Sequence, residues 1–270
     1  MIFFYPLYSM LSSLLQTILP FFLSAGIVIL ITILAERHGT KIGGILGTLP
    51  STIIIAFACI AYHQGISVAV ESVVVVPAGM GINLLFLVCF SMYAYTSLWY
   101  AVPISFTVWS VGALCVYLLK ITTIWISLVL FLIIYLITFF FFEYQRKTRS
   151  ITQVTVLYTP LKILFRGVIA GGVIASSIIL ATTNPVLGGI FSIFPAIFFS
   201  TMLIAVREHG PTFAEGIAKS MIFGSPSVVS YALAIYFFYP LEDIIFGSII
   251  AFFVSLAVTL LLYKLRKYLK

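Results

Sequence analysis

The chain has 270 residues, 63% of them hydrophobic and only 8% charged, with a net charge of +7 and a mean hydropathy of +1.24. Soluble domains carry roughly 25% charged residues, so this composition excludes a soluble globular protein and leaves no room for a separate soluble domain. The basic excess reads as membrane topology rather than nucleic-acid binding.

About 20 apolar residues cross the hydrocarbon core as a helix. That ruler predicts nine spans, at 13–35, 42–62, 67–93, 98–119, 122–143, 163–182, 186–206, 212–238 and 241–263. Before span 1, the first ten residues hold no Lys or Arg, so no cleavable signal peptide is expected. Span 2 opens on the unusual "IGGILGTLPSTIIIAF" (42–57), where glycines, a proline and three hydroxyls crowd together. Pro50 has no N–H to give and clashes with the carbonyl four residues back, that of Leu46. Freed backbone in lipid is tolerated only where protein buries it or a polar cavity takes it up. Gly47, Thr48, Pro50, Ser51 and Thr52 are therefore candidate binding residues.

Span 3 carries Glu71 near its start and a second disturbed stretch, "VPAGMGIN" (76–83), with Pro77, Gly79 and Asn83. In span 6, "GVIAGGVIA" (167–175) sets Gly167, Gly171 and Ala175 on one face, a seam for close helix packing. Span 7 holds "LGGIFSIFPAIFFSTM" (187–202), with Ser192 and Pro195 as candidates and the Phe191 carbonyl expected to lose its partner. Span 8 begins with Glu215 and Lys219, four apart with the acid first, the favourable order for a helical ion pair. It continues through "FGSPSVVSY" (223–231), adding Ser225, Ser227 and Tyr231. Intramembrane charges are functional candidates by default, so Glu71, Glu215 and Lys219 are read as coupling residues. Arg166 is expected to snorkel to the surface.

With nine spans the termini fall on opposite sides. One side then collects Arg37, Lys41, Arg146, Lys147, Arg149, Lys162, Arg207, Lys264, Arg266, Lys267 and Lys270, and the other only Lys120. The positive-inside rule places the N-terminus outside and the C-terminus in the cytoplasm of a bacterial or archaeal inner membrane.

Spans 2 and 7 repeat at an offset of 145 residues. Aligning 42–81 with 187–226 pairs Gly43/Gly188, Gly44/Gly189, Pro50/Pro195, Gly65/Gly210 and Gly79/Gly224. Chance would superpose about one glycine pair, and four coincide. The fold expected is an all-α polytopic membrane protein of about nine helices. Its parts are a four-span repeat at 1–120, a linker span with a basic loop at 121–162, and a second repeat at 163–270. An odd linker inverts the second copy, the usual construction of secondary carriers with a midplane site. At 1.5 Å per residue, both proline motifs reach a similar depth from opposite faces.

The second repeat, through Gly189, Pro195, Gly210, Gly224 and Pro240, resembles the GlpM family of small four-span bacterial membrane proteins. The first repeat is similar through Gly44, Pro50 and Gly65. The resemblance implies a duplicated four-span unit from a family linked to glycerol and exopolysaccharide physiology. The architecture is also similar to the drug/metabolite transporter superfamily, although nine spans depart from that superfamily's five plus five.

Cys59, Cys89 and Cys115 sit in apolar runs, and His38, His63 and His209 are not grouped with acids or thiols. Neither metal-ligand spacing nor a nucleophile–base cluster is present, so no enzyme, metal or cofactor is expected. The reading is a carrier of a small molecule or ion, embedded in the lipid bilayer, without nucleic-acid partners and compatible with a homodimer. Its rivals are a channel or uniporter, and a non-transporting assembly partner of envelope polysaccharide or lipid enzymes.

Overall fold

The computed structural model describes residues 18–30, 32–33, 50–146 and 159–268. Among these the secondary structure is helical throughout: α1 (Ile18–Leu30), α2 (Ser51–Gln64), α3 (Ile66–Val73), α4 (Val76–Tyr93), α5 (Leu98–Leu118), α6 (Ile124–Phe140), α7 (Pro160–Thr183), α8 (Pro185–Ser192), α9 (Ala196–His209), α10 (Pro211–Gly224), α11 (Pro226–Phe238) and α12 (Ile244–Tyr268). A π-helical turn, Phe141–Gln145, extends α6. Seven helices or end-to-end helix pairs are long and apolar enough to cross a membrane, and α1 and α2 are shorter apolar segments. The chain is an all-α integral membrane protein.

The layers follow from which helices shed their apolar faces. In α4, 72% of the residues are buried inside the protein, against 22% in the most apolar stretches of α6 and α12. The bundle is therefore built around α4, while α6 and α12 turn residues such as Ile126, Ile133, Ile137, Phe253 and Leu261 outward. In water such a surface would aggregate, but in lipid it is the solvated face. Trp99 and Trp125 are exposed at the starts of α5 and α6, as interface anchors require. Trp109 is buried instead, edge-on to Phe191 and Phe194.

Three of the apolar segments are broken, each for a readable reason. Between α3 and α4, Pro77 falls in the first turn of the new helix. The Ala78 N–H there is satisfied by Ser127 Oγ of α6, at 2.8 Å. Between α10 and α11, Pro226 restarts the helix after Ser225, whose hydroxyl donates back to the Ile222 carbonyl at 2.8 Å. Between α8 and α9, Ile193 and Phe194 leave the helix before Pro195 restarts it.

Two hairpin corners share one geometry. Helix α2 starts after Pro50 (φ −77°, ψ 48°) and ends at Gly65 (φ 100°). Helix α9 starts after Pro195 (φ −73°, ψ 35°) and ends at Gly210 (φ 83°). Both are 14 residues long. The left-handed φ at each corner is why glycine stands there.

Small residues let backbones touch. Gly171 and Gly167 of α7 lie against the Phe21 and Ala25 carbonyls of α1, where a methyl group would come within 2.6 Å and 3.1 Å. The tightest approach is at Gly189 of α8, where a Cβ would stand 2.0 Å from the Ser72 carbonyl oxygen of α3. Backbone cannot rotate away as a side chain can. Gly189→Ala is therefore expected to destabilise the folded protein by about 1–3 kcal/mol, the usual cost of overpacking. Gly172→Ala, with nothing within 4 Å of the added methyl, should leave thermal unfolding in detergent unchanged or slightly improved. Equal melting of the two variants would show that the α3–α8 contact is loose.

Candidate functional site

A half-open cleft, with about 650 Å³ of empty space when open solvent is counted, lies where α2 and α9 begin. Pro50, Thr52 and Ile53 line it from α2, and Met80 and Asn83 from α4. The α8–α9 break and the first turn of α9 supply Ser192, Ile193, Phe194, Pro195, Ile197 and Phe198. Met221, Gly224, Ser225 and Val228 close it from α10 and α11. None of these described lining residues is charged.

The cavity thus gathers Pro50, Thr52, Asn83, Ser192, Pro195 and Ser225 from four separate stretches of sequence. Ser51, Ser227 and Tyr231 are buried but lie outside the lining. Ser227 is occupied in helix packing: its hydroxyl donates to the Gly224 carbonyl, and its own carbonyl accepts from Ser255 Oγ of α12. Gly47 and Thr48 lie outside the described residues.

The backbone at the break departs from the simple proline argument. Phe191 keeps a partner, because the chain tightens and the Phe194 N–H donates to its carbonyl at 3.1 Å. The vulnerable carbonyl is that of Ile193, two residues later. Asn83 Nδ2 donates to it at 2.6 Å, reaching from the other half of the chain across 110 residues of sequence. Because a carbonyl only accepts, this bond fixes which end of the amide is nitrogen. Asn83 Oδ1 is then left buried without a partner, in a residue only 3% exposed. A buried unpaired acceptor costs about 1–3 kcal/mol, a cost carried here by the residue that bridges the break.

The charged candidates lie elsewhere. Glu71 is exposed on α3 and is not part of the cavity. Glu215 is buried on α10, and its ion-pair partner is Arg146, just past the π-helical turn, rather than the helical neighbour Lys219. Both guanidinium contacts are made, Nε to Oε1 at 3.0 Å and Nη2 to Oε2 at 3.2 Å. Lys219 pairs with Glu143 at 2.7 Å. The physical reason is reach: a forked guanidinium brought in from another helix outcompetes an i,i+4 ammonium. Tyr95, in the loop before α5, donates to Glu215 Oε2 at 2.5 Å, and its ring lies 5.3 Å under the Arg146 guanidinium. Burial, and then the bond to Glu215, push the Tyr95 hydroxyl above its ordinary pKa, so it remains a donor at neutral pH. Arg166 does not simply snorkel; its Nη1 donates to Thr201 Oγ1 of α9 at 2.7 Å. Lys162 and Glu208 pair nearby.

No group of three His, Cys, Asp or Glu residues that could hold a metal occurs among the described residues. Comparison with known proteins adds one finding. Residues 162–268, the segment from α7 to α12, match the family described as Protein of unknown function (DUF3147). No curated protein and no solved structure matches the chain.

Proposed function

We propose that this chain is a secondary carrier for a small solute, working by alternating access between two inverted halves. The observation that carries the reading is the meeting of two helices, each started by a proline and 145 residues apart, in one cavity. Interrupted helices whose ends meet inside a bundle are how carriers expose backbone to a substrate. The shared corner geometry at Gly65 and Gly210 supports a duplication, and the family match confined to 162–268 supports treating the second half as a unit. On this reading the halves are 1–120 and 163–270, the linker span is 121–162, and the chain crosses the inner membrane nine times.

Topology is the first test. Cysteine substitutions in the loops at 63–66, 184–185 and 240–243 should react with an impermeant thiol reagent from outside, and those at 94–97 and 144–146 only from inside. A split of the first three between the two sides removes the inversion.

Transport is the second test. Purified protein in liposomes should exchange or accumulate a solute, and Pro50→Ala and Pro195→Ala should each cut flux at least tenfold at unchanged folded yield. If the prolines serve packing alone, yield and melting temperature fall together with flux. If no solute in a broad metabolite panel moves, the chain is better read as an assembly partner of envelope enzymes.

A further inference from the structure

Helix α10 has a joint at each end. At one end the Gly210 corner, with φ 83°, separates it from α9. At the other, Pro226 has no N–H for the Ile222 carbonyl. That carbonyl accepts instead from the Ser225 N–H at 3.2 Å and the Ser225 hydroxyl at 2.8 Å. The helical ladder is interrupted there, and an interrupted ladder is where a helix bends. Between the joints α10 is an unbroken rod of 14 residues, packed against α4 and α6.

The two ends of the rod keep different company. Toward the Pro226 joint, Met221 and Gly224 line the cleft. Toward the Gly210 corner stands Glu215, about 9 Å from Met221 along the axis at 1.5 Å per residue. There the rod is tied down from outside. Glu215 holds Arg146, just past the π-helical turn, and Tyr95, from the loop before α5. Lys219 holds Glu143 of the same turn. The Tyr95 hydroxyl also lies 3.4 Å from Thr212 Oγ1 at the start of α10. Of the proposed parts, Tyr95 belongs to the first half, α10 to the second, and Arg146 and Glu143 to the linker. One knot joins all three. Arg146 and Glu143 are each 35% exposed, so water can take up their charges when the ties part. Pairs reached by water on one side release at less cost than pairs buried on both.

From this arrangement we infer that α10 is the gate of the proposed carrier at its charged end, with Arg146, Glu143 and Tyr95 as the latch. With the ties made, the rod stands against α4 and closes that end over the cleft. With the ties parted, it swings about the Ser225–Pro226 joint and carries Met221 off the cleft. Solute then enters or leaves on the charged side, the hinged movement by which one end of a protein opens while the rest keeps its packing. This rests on the carrier reading for its purpose, while the movement itself is tested without any solute.

The test sets a single thiol in the cleft, Met221→Cys, in the full chain carrying Cys59→Ser, Cys89→Ser and Cys115→Ser. An impermeant thiol reagent is applied to liposomes of known orientation from each face in turn, with folded yield and melting temperature measured alongside. In this parent, labelling from the face that carries the 144–146 loop should be slow. Glu215→Gln and Arg146→Ala should raise it at least tenfold from that face and leave the rate from the other face unchanged. Arg146→Lys, which keeps the charge, should raise it less. Tyr95→Phe keeps the ring under the guanidinium and removes one tie, so a rise of at least twofold is expected, and it decides the matter if Arg146→Ala fails to fold. A knot that merely holds the fold gives another pattern, equal rises from both faces in step with the fall in melting temperature. That pattern overturns the gate, as does equal labelling of parent and variants. One-sided labelling without flux of any solute keeps the gate and removes the carrier. Flux with labelling indifferent to the latch keeps the carrier and removes the gate.

Discussion

Replacing Arg146 with alanine should cost about 3 kcal/mol of stability, more than any change to its partner. Glu215 is only 6% exposed in the pair, whereas Arg146 is 35% exposed. Removing the arginine takes the forked partner from a buried carboxylate that still accepts from Tyr95, and breaking a buried pair costs about 3–5 kcal/mol. The lower end applies because the Arg146 side is open to water. Glu215→Gln leaves instead a guanidinium that solvent can reach, and a glutamine that still accepts from Tyr95; about 1–2 kcal/mol is expected. Arg146→Lys should fall between them, keeping charge but losing the fork. Chemical or thermal unfolding in detergent gives the order directly. A larger loss for Glu215→Gln than for Arg146→Ala would mean that the network is held by the carboxylate's other contacts. Tyr95 adds a sign for pH. Its hydrogen-bonded phenol contributes below about pH 10, the unperturbed tyrosine value, and that contribution is lost as pH climbs through its raised pKa.

Asn83→Leu should have the largest functional effect of any single substitution. Leucine keeps the branched shape and heavy-atom count, at a somewhat larger volume, but removes both polar ends of the amide. The Ile193 carbonyl, now accepting from Nδ2 at 2.6 Å, would be buried with no donor, at about 1–3 kcal/mol. Flux in liposomes should drop more than tenfold, and the melting temperature should fall by several degrees. Ser192→Ala gives the contrast, since its hydroxyl only bonds the Gly189 carbonyl within its own helix. That variant should melt close to the parent and retain measurable flux. If Asn83→Leu transports normally, neither the bridge nor the cavity reading survives.

Much of the architecture was legible because proline and glycine have no substitutes at certain backbone positions. Pro50 and Pro195 were legible as interruptions of apolar spans, and the aligned Gly65 and Gly210 prove to stand at matching left-handed corners. The site was legible only in its polar half. Asn83, Ser192 and Ser225 stand out against apolar surroundings, whereas Met80, Ile193, Phe198 and Met221 cannot be told from lipid-facing residues by composition. The partner of Asn83 was hidden for another reason: it is a main-chain carbonyl, and every residue has one. The Glu215–Lys219 expectation failed because helix-surface spacing sees only local neighbours. A pair of that kind is worth about 0.2–0.5 kcal/mol, too little to hold against a forked arginine delivered by a π-helical turn.

The distribution of charge along the bundle sets its two ends apart in how they answer to their surroundings. Every ion pair among the described residues, Arg146–Glu215, Lys162–Glu208 and Lys219–Glu143, ties the same end. The opposite end is held by uncharged bonds, such as Gln64 Nε2 to the Ile178 carbonyl at 2.7 Å and Tyr239 with Ser248 at 2.8 Å. Dissolved salt weakens the first kind of fastening, modestly here because each pair is partly buried, and hardly touches the second. Ionic strength is therefore a one-sided lever. Salt on the charged face should loosen that end slightly while the other keeps its bonds, and in a carrier of the kind proposed the electrolyte of one compartment alone would bias the two ends.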